Sequence, residues 1–467
     1  MSKLWARYEA SWRGRRRSQL LWIALVLAAL ISSATAQQSA PLTLAEAVQM
    51  TLDKNPLHKA ALADTRAALA SVREARAPHL PKLTFAENWT RGNDPIFVFG
   101  TRLRQQIFTA QDFALDNLNR PTPISNYATR FSGQWSLFDS MQSWMGLGRA
   151  KFMSQAAEQQ LSRTDQELVF QTVQAYYGVL LAQKQLQVAQ EAAKTAESIE
   201  QQSRARVESG MAVDSDLLSA QVLASSRRQE MIARRNELAL AQTRLALAMG
   251  MSADAQYEPK EALEERTFPP ADVNQLEKTA LEKRPDLKRV ESERSAQAKS
   301  VSMARAAFGP RLNAFGSWEE DSHALGWTGA NNWIAGAELQ FDLFSGGSKR
   351  AALAREKALT ERATAAQAGL EDAIRLEVRS AYYDFDAAQQ QVAVARSAIA
   401  HADESLRINA NRYEGGLSTV TDMLRVEEAA HRAKADYWQA VYRMDTSYAG
   451  VELATGTLTP ASPVVTQ

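Results

Sequence analysis

The sequence predicts a predominantly α-helical α+β protein that carries long coiled-coil hairpins and two pairs of β-strands. Three observations predict this fold: matching residues recur at constant offsets, two stretches of about sixty residues lack proline, and short segments alternate in polarity. The chain has 467 residues, enough for two or more domains, and 45% of them are apolar, as is typical of folded proteins.

Residues 1–36 form a predicted signal peptide. The arginines from Arg13 to Arg17 precede an apolar run from Leu20 to Ile31, and Ala34-Thr35-Ala36 fits a signal-peptidase site. The alternative, a membrane anchor, needs about twenty apolar residues, more than this run provides. Residues 1–36 carry six Lys or Arg and one Glu, so their removal changes the formal charge from +1 to −4. A mildly acidic mature chain gives no support for nucleic-acid binding.

Reactive and metal-binding residue types are sparse. The chain has no cysteine, which excludes disulfides, thiolate metal sites and a lipid-modified N-terminal cysteine. The histidines lack metal-ligand spacing and a nucleophile signature; they are His58, His79, His323, His401 and His431. The segment Phe344–Lys349 lacks the phosphate-loop spacing and is predicted to be a turn. We therefore expect no enzymatic activity, no metal site and no cofactor.

The sequence contains an internal duplication. An offset of 229 relates Ala75-Arg76-Ala77 to Ala304-Arg305-Ala306 and Pro81 to Pro310. An offset of 206 then relates Ala175-Tyr176-Tyr177 to Ala381-Tyr382-Tyr383 and Gly210 to Gly416. The offset shrinks by 229 − 206 = 23, so the loop between strands is 23 residues longer in the first copy. The predicted units are residues 37–250 and 274–457, joined by the linker 251–273 and followed by a C-terminal tail, 458–467.

Each copy is predicted to run in the same order: a helix, a strand pair and a long helical hairpin. The first helices begin at capping-box patterns, Thr43 with Glu46 and Asp272 with Gln275. The long helices are predicted over about 147–208 and 349–414, and each would span roughly 90 Å. Their length is typical of coiled-coil packing, and their abundant alanine and polar residues suit one face against water.

The strands alternate between apolar and polar residues. In 131–138, Phe131 and Trp135 share a face, and in 333–343 Trp333 and Phe341 do so. This pattern suits a lipid-facing barrel with a wet interior, although a half-buried strand of a soluble sandwich looks the same. About eight strands are the smallest closed barrel, so four transmembrane strands from one chain cannot close one alone. The membrane interpretation therefore predicts an oligomer.

The ordered set of motifs resembles the TolC-type outer-membrane efflux protein family. It comprises Leu42–Val48, Asn55-Pro56, the repeated Ala-Arg-Ala…Pro and two Gly-x5-Asp hairpin tips, and it covers nearly all of 41–457. Because it has no cysteine, the chain resembles the unlipidated branch of that family. The resemblance implies a homotrimer with a twelve-stranded barrel in the bacterial outer membrane and a helical tunnel in the periplasm.

The resemblance also implies a function and partners. Members conduct drugs, metals or proteins passively, as the outer-membrane channel of a tripartite efflux or type I secretion system. The implied partners are a periplasmic adaptor, an inner-membrane pump of RND or ABC type, and outer-membrane lipid. A soluble periplasmic helical scaffold or adaptor is the alternative; it would lack two alternating strand pairs.

The two hairpin tips are the predicted gate. The predicted gate residues are Asp214, Asp216, Tyr413 and Asp422. Carboxylates converging at an entrance would select against anions and bind cations. The resemblance implies a hydrogen bond between Tyr413 and Asp216, but Ser418 and Arg425 stand where the family has its partner arginine and second carboxylate. We therefore expect a closed state that is held differently.

The tip residues also have a purely structural interpretation. Gly210 and Gly416 suit the left-handed residue that ends a helix, and Asp216 or Asp422 suits the N-cap of the next helix. The resemblance implies that the pairs Gly210-Met211 and Gly416-Leu417 dock the adaptor.

Overall fold

The computed structural model describes residues 40–269, 272–326 and 328–466. The predicted signal peptide, residues 1–36, lies outside the described residues. The elements, in chain order, are β1 Ala40–Leu42, α1 Leu44–Lys54, α2 Pro56–Glu74, β2 Lys82–Gly92, α3 Pro95–Arg104, α4 Leu115–Asn119, β3 Ile124–Phe138, α5 Gln142–Glu208, α6 Asp214–Ala248, β4 Tyr257–Pro259, α7 Val273–Lys283, α8 Pro285–Ala306, β5 Arg311–Ser322, β6 Ala330–Gln340, α9 Ser348–Glu414, α10 Val420–Ala454 and α11 Pro463–Thr466.

Two long hairpins dominate the molecule and confirm the prediction of long helices. The helices α5 and α9 have 67 residues each, and their antiparallel partners α6 and α10 have 35 each. At 1.5 Å per residue, each long helix extends for about 100 Å. The two hairpins pack side by side, with α5 against α6, α9 against α10 and α5 against α10. Each hairpin ends in one tip far from the strands.

The four longer strands form one antiparallel sheet in the order β2-β3-β5-β6. The register places one aromatic residue of each strand in a single row across the sheet: Phe85, Phe131, Trp318 and Trp333. We call this set the aromatic row. Strand β6 ends at Gln340, so the predicted strand 333–343 is too long at its end; the chain turns there, where Asp342 pairs with Lys349 at 3.0 Å.

The two faces of the sheet differ in chemistry. The face of the aromatic row also carries exposed Leu83 and Leu339. The opposite face carries residues such as Arg130, Glu319 and Asn332, which follow one another in register across three strands. The opposite face is not wholly polar, because Phe315 lies on it over Gly336, where a side chain would meet the phenyl ring at 2.8 Å. The predicted alternation is otherwise confirmed.

A small mixed belt surrounds the middle of the helices. Strand β1 pairs with β4 in parallel, which brings residues 40–42 against the predicted linker. The linker is not an open connection, because Leu263 and Phe268 are buried and Phe268 stacks on Tyr448 with ring centroids 4.1 Å apart. The predicted C-terminal tail also enters this core, since Val464 and Val465 are buried.

Each copy is closed where its ends meet, in two contacts that we call the clasps. In the first clasp Asn55 donates from Nδ2 to the carbonyl of Ala248 at 2.8 Å, and a Cβ on Gly250 would meet Asn55 Cα at 2.6 Å. In the second, a Cβ on Gly456 would meet Arg284 Cα at 2.9 Å. Both glycines have φ near +70°, where other residues are strained.

The helix starts agree with the sequence in one copy and in part in the other. Thr43 and Glu46 form the predicted capping box. Asp272 caps α7, but it accepts from the amide of Asn274 and forms no reciprocal box with Gln275 in the described residues. Among the described helices of the chain, each is too short or too polar to cross a membrane.

Candidate functional site: the hairpin tips

Both tips end their long helix with the same backbone motif. Gly210 and Gly416 each have φ +73°, as predicted for the left-handed residue after a helix. In the first tip the amide of Met211 donates to the carbonyl of Arg206 at 2.8 Å, and in the second Leu417 donates to Arg412 at 2.7 Å. These bonds satisfy carbonyls that the helix leaves free, so the turns are firmly built.

The next helix of the second tip begins with a capping box. Thr419, not Asp422, is the N-cap of α10: its hydroxyl accepts from the Asp422 amide at 3.2 Å and donates to the Asp422 carboxylate at 2.7 Å. The predicted N-cap was therefore wrong by three residues. The side-chain and backbone bonds from Thr419 lower the pKa of Asp422, and the charge of Arg425 adds to the effect. Asp422 stays ionised and is bound to its own turn.

The next helix of the first tip begins without a side-chain cap. Its N-cap is Val213, which has no hydrogen-bonding side chain, so the predicted N-cap at Asp216 was also wrong. Asp214 and Asp216 lie in the first turn of α6, where the helix dipole favours negative charge. Asp214 is exposed and Asp216 is half-buried. Two carboxylates thus stand at this tip outside any capping box.

Tyr413 is part of the packing between the two hairpins. Its side chain is 3% exposed and lies in an apolar cluster with Ile199, Val420 and Met423. Its hydroxyl is 2.9 Å from the Ser203 hydroxyl on α5, and the Arg206 guanidinium lies 4.6 Å from the ring centre. Within the described protomer, Tyr413 therefore bonds across the hairpins to Ser203 and not to Asp216.

Three turns farther from the tips, a buried ion network joins α6 to α10. Arg227 is 5% exposed, and its Nη2 lies 2.8 Å from Glu427, which is 2% exposed, and 2.5 Å from Glu428. Burial alone would lower the pKa of Arg227, but the bonds from both glutamates raise it. Removing one member of such a pair leaves an uncompensated buried charge, which makes the contact decisive for how these helices are held.

A second link extends the network. Glu230 accepts from Arg227 Nη1 at 3.0 Å and lies 2.9 Å from His431 Nε2. Burial would raise the pKa of Glu230, but the bonds from His431 and Arg227 outweigh it and lower that pKa. We call Arg227, Glu230, Glu427, Glu428 and His431 the arginine network. Sequence reasoning missed it; its only signal was opposite charges three or four residues apart on the two shorter helices.

The tips also expose apolar side chains. Met211 and Leu417 are each 72% exposed, and Val213 beside them is exposed too. Apolar side chains clustered at a protruding end are typical of a contact surface for another protein. The structure thus places the predicted docking residues together at one end of the molecule.

The belt contains one buried and one half-buried carboxyl, Asp445 and Glu452, that the sequence did not single out. Asp445 is fully buried, and neither of its oxygens has a hydrogen-bond partner among the described residues. Burial raises the pKa of Asp445 to about 7, and burial likewise raises the pKa of Glu452 to about 7. Both groups therefore titrate near neutral pH, whereas the pKa of Asp422 at the second tip is lowered.

Comparisons with known proteins agree with this geometry. The family model described as "Outer membrane efflux protein" matches residues 47–251 and 276–457. The chain is 23% identical to the alkaline protease secretion protein AprF of Pseudomonas aeruginosa, over 90% of this chain and 85% of that protein. It is 26% identical to the outer membrane protein OprJ of the same organism, over 79% of this chain and 74% of OprJ.

A solved structure has the same fold. The crystal structure of a membrane protein from Pseudomonas aeruginosa superposes with a TM-score of 0.77 at 23% identity, and the match covers 92% of this chain and 94% of that one. The matched segments of the family model correspond to the two copies of the duplicated unit. The resemblance read from the sequence is confirmed: the chain belongs to the outer membrane efflux protein family.

Proposed function

We propose that this protein is the outer-membrane duct of a tripartite efflux or type I secretion system and that it acts as a homotrimer. The family assignment makes it an outer-membrane efflux channel protein and speaks against a soluble periplasmic scaffold. The observation that carries the proposal is the joining of one sheet with an aromatic, apolar face to two helices of 67 residues in one chain. In that combination the sheet would form part of a barrel in the membrane, and the long helices would continue the channel outside it.

The sheet supports the trimer. Strands β2 and β6 lie at its two edges, so each offers an unpaired row of backbone amides and carbonyls. Such edges are not tolerated in lipid, and pairing β2 of one protomer with β6 of the next would satisfy both. Three protomers with four strands each would close about twelve strands, within the known range for outer-membrane barrels.

The face chemistry supports the orientation. Aromatic residues form girdles at the membrane interface in transmembrane barrels, and the aromatic row on the apolar face would contribute to such a girdle. From Phe131 to Leu137 this face extends about 20 Å along the strand at 3.4 Å per residue, which is about 15 Å of height at the usual strand tilt of about 40° and fits within an outer-membrane apolar band of about 25 Å. The opposite face, with Arg130 and Glu319, would line a wet lumen.

The tips support a gate and a docking surface. In a trimer, Asp214, Asp216 and Asp422 would stand in three copies around the periplasmic entrance and select cations over anions. Tyr413 would contribute through its bond to Ser203, and the arginine network would hold the hairpins closed in place of the family's tip arginine. Gly210 and Gly416 fix the turns that present Met211 and Leu417 to a periplasmic adaptor.

The proposal is tested with the purified mature protein. We expect heat-modifiable migration from the outer-membrane fraction, a mass of three protomers in detergent, and a small conductance in planar bilayers that rises when the tips are disturbed. Co-purification of an adaptor should be lost in a Met211→Asp, Leu417→Asp variant and kept in Val222→Asp, which changes an exposed residue away from the turns. A wholly periplasmic, non-conducting protein would overturn the duct.

A further inference from the structure

The loop between β2 and β3 is a folded insert. It spans residues 93–123 and accounts for the extra length of the first copy; the corresponding loop between β5 and β6 is 323–329. The insert contains α3 and α4 and a cluster of three aromatic rings, in which the ring centroids of Phe99 and Phe113 lie 4.9 and 5.2 Å from that of Phe108. An ion pair between Arg102 and Asp112 ties its two halves together. The insert is therefore a folded segment and not an irregular surface loop.

The insert is bonded to the inner part of the sheet through buried polar groups. Gln105 at the end of α3 donates from Nε2 to the Ser125 carbonyl at 3.0 Å and to Asn126 Oδ1 at 2.8 Å. Asn126 in turn donates to Asp321 Oδ1 at 2.6 Å. Asp321 is fully buried and Gln105 and Asn126 nearly so. Gln105 Oε1 has no hydrogen-bond partner among the described residues, but Gln105 Nε2 and Asn126 Nδ2 are both bonded in this buried network. Such buried bonds favour one arrangement of the insert on the sheet.

The same helix end reaches across the sheet to β5 and β6. Arg104 Nη1 lies 3.2 Å from Glu319, which also accepts from Arg130 at 2.6 Å. The backbone carbonyl of Arg104 accepts from Asn332 Nδ2 at 3.1 Å. The insert therefore leaves the sheet at its edge strand β2 and is bonded to all three of the other strands.

All these contacts are on one face and at one end of the sheet. Arg130, Glu319 and Asn332 are cross-strand neighbours on the face opposite the aromatic row. The insert joins the ends of β2 and β3 that point away from the long helices. If the face of the aromatic row meets lipid, as proposed above, the insert lies on the lumen side at the outer mouth.

We infer that the insert is a second constriction of the duct, which limits the size of cargo at the exit independently of the tips. The inference rests on the proposed function, because the lumen side is defined by it. Three inserts, one from each protomer, would converge over the outer mouth. Arg104 is exposed, so its ion pair with the buried Glu319 is the part of the docking that water can loosen most easily. The buried bonds from Gln105 to Ser125 and Asn126 anchor the insert.

The first test replaces the insert by the short loop of the second copy, so that residues 323–329 substitute for 93–123. We expect single-channel conductance to rise at least twofold over a parent whose tips are already opened by Arg227→Met, and cells to become sensitive to a bulky antibiotic. A point variant, Arg104→Glu, places like charges beside Glu319 and should act in the same direction with a smaller effect. The matched control is Arg91→Glu, which changes an exposed arginine of β2 that lies on the face of the aromatic row, away from Glu319.

The second test uses the absence of cysteine in the chain. A Gln105→Cys, Asn126→Cys variant carries the only two thiols, and a short cleavable thiol cross-linker would fix the insert in its docked position. Conductance should fall on linking and return on reduction. The contrary outcome is that channels with opened tips conduct while insert replacement, Arg104→Glu and cross-linking all leave conductance at the parent value. That result would overturn the proposed constriction and leave the proposed duct function intact. If no variant conducts at all, the proposed function fails instead.

Discussion

The two hairpin tips end their long helices identically and begin their short helices differently. Both use a left-handed glycine with the same pair of backbone bonds, so the turn itself follows from Gly210 and Gly416. The second tip then closes a capping box between Thr419 and Asp422, while the first begins at Val213 with no side chain to cap it. The duplication thus preserved the bend and changed what holds the next helix.

This difference divides the carboxylates into two kinds. Asp422 is bound by its own turn, whereas Asp214 and Asp216 stand in a first turn that lacks a cap. Tyr413 lies at the second tip, where it is buried and bonded to Ser203. Because its second helix lacks a cap, we expect the first tip to be the less rigid one, and its carboxylates would be available to ions or, in the proposed trimer, to a neighbouring protomer.

The largest expected effect comes from breaking what holds the two hairpins together. Arg227→Met leaves Glu427 buried without its cation and should cost about 3–5 kcal/mol, so melting of the hairpins should come earlier and closed-state conductance should rise. Arg228→Met is the matched control: it loses an exposed pair with Glu197 at 3.0 Å, worth about 0–1 kcal/mol. Adding Glu427→Met should restore most of the loss. Equal behaviour of the two arginine variants would remove the arginine network from the gate.

The next largest effect is a dependence of stability on pH that comes from the belt and not from the tips. The pKa of Asp445 is about 7 against an ordinary 3.8, so the folded state binds more protons than the unfolded state between these values. Stability should therefore fall as pH rises through that window, by about 1.4 kcal/mol per unit for this group. Asp445→Asn should remove about half of this slope between pH 4 and about 7, because Glu452, whose pKa burial also raises to about 7, contributes the rest. Asp436→Asn, at an exposed residue on α10, should leave the slope unchanged. A slope that is undiminished in Asp445→Asn would contradict the assignment.

Exchanging the caps tests the comparison directly. Thr419→Ala should cost about 1 kcal/mol and speed amide hydrogen exchange over 415–423 to the rate of 209–217. Val213→Thr should do the reverse at the first tip, because Asp216 is then placed to complete a box. The lowered pKa of Asp422 means that its cap is fully formed above pH 4 and is lost as pH falls below that range. Unchanged exchange in both variants would show that the caps do not set the difference.

The smallest expected effect concerns one hydroxyl pair. Tyr413→Phe and Ser203→Ala each remove the same bond and should each cost about 0.5–1.5 kcal/mol, with a modest rise in conductance. The double variant should match the single ones, because there is one interaction to lose. Asp216→Ala should also raise conductance and should add to Tyr413→Phe. Full coupling of Asp216 with Tyr413 would instead favour the bond that the family resemblance implies.

The sequence predicted the features that depend on periodicity or repetition. The duplication, the long helices and the alternating strands were readable because each repeats a local pattern many times. The caps were misplaced because Asp at the end of Gly-x5-Asp fits either the N-cap or the third helical residue. Arg227 and Glu427 could not be paired, since they lie 200 residues apart on different helices. The insert showed only as extra length, because Phe99, Phe108 and Phe113 follow no strand or helix period.

The clasps have a consequence for the order of folding. Each hairpin can form from contacts between adjacent helices. The clasps instead bond Asn55 to the carbonyl of Ala248 and Arg284 to the carbonyl of Ala454, which lie 193 and 170 positions apart in sequence. Contacts of such long separation form late, because the chain must first lose the entropy of closing a large loop. The belt is therefore completed only after its own hairpins exist. A chain with a defective hairpin would keep its belt open and expose the buried Tyr176, Leu245 and Met249, which marks it for removal before assembly.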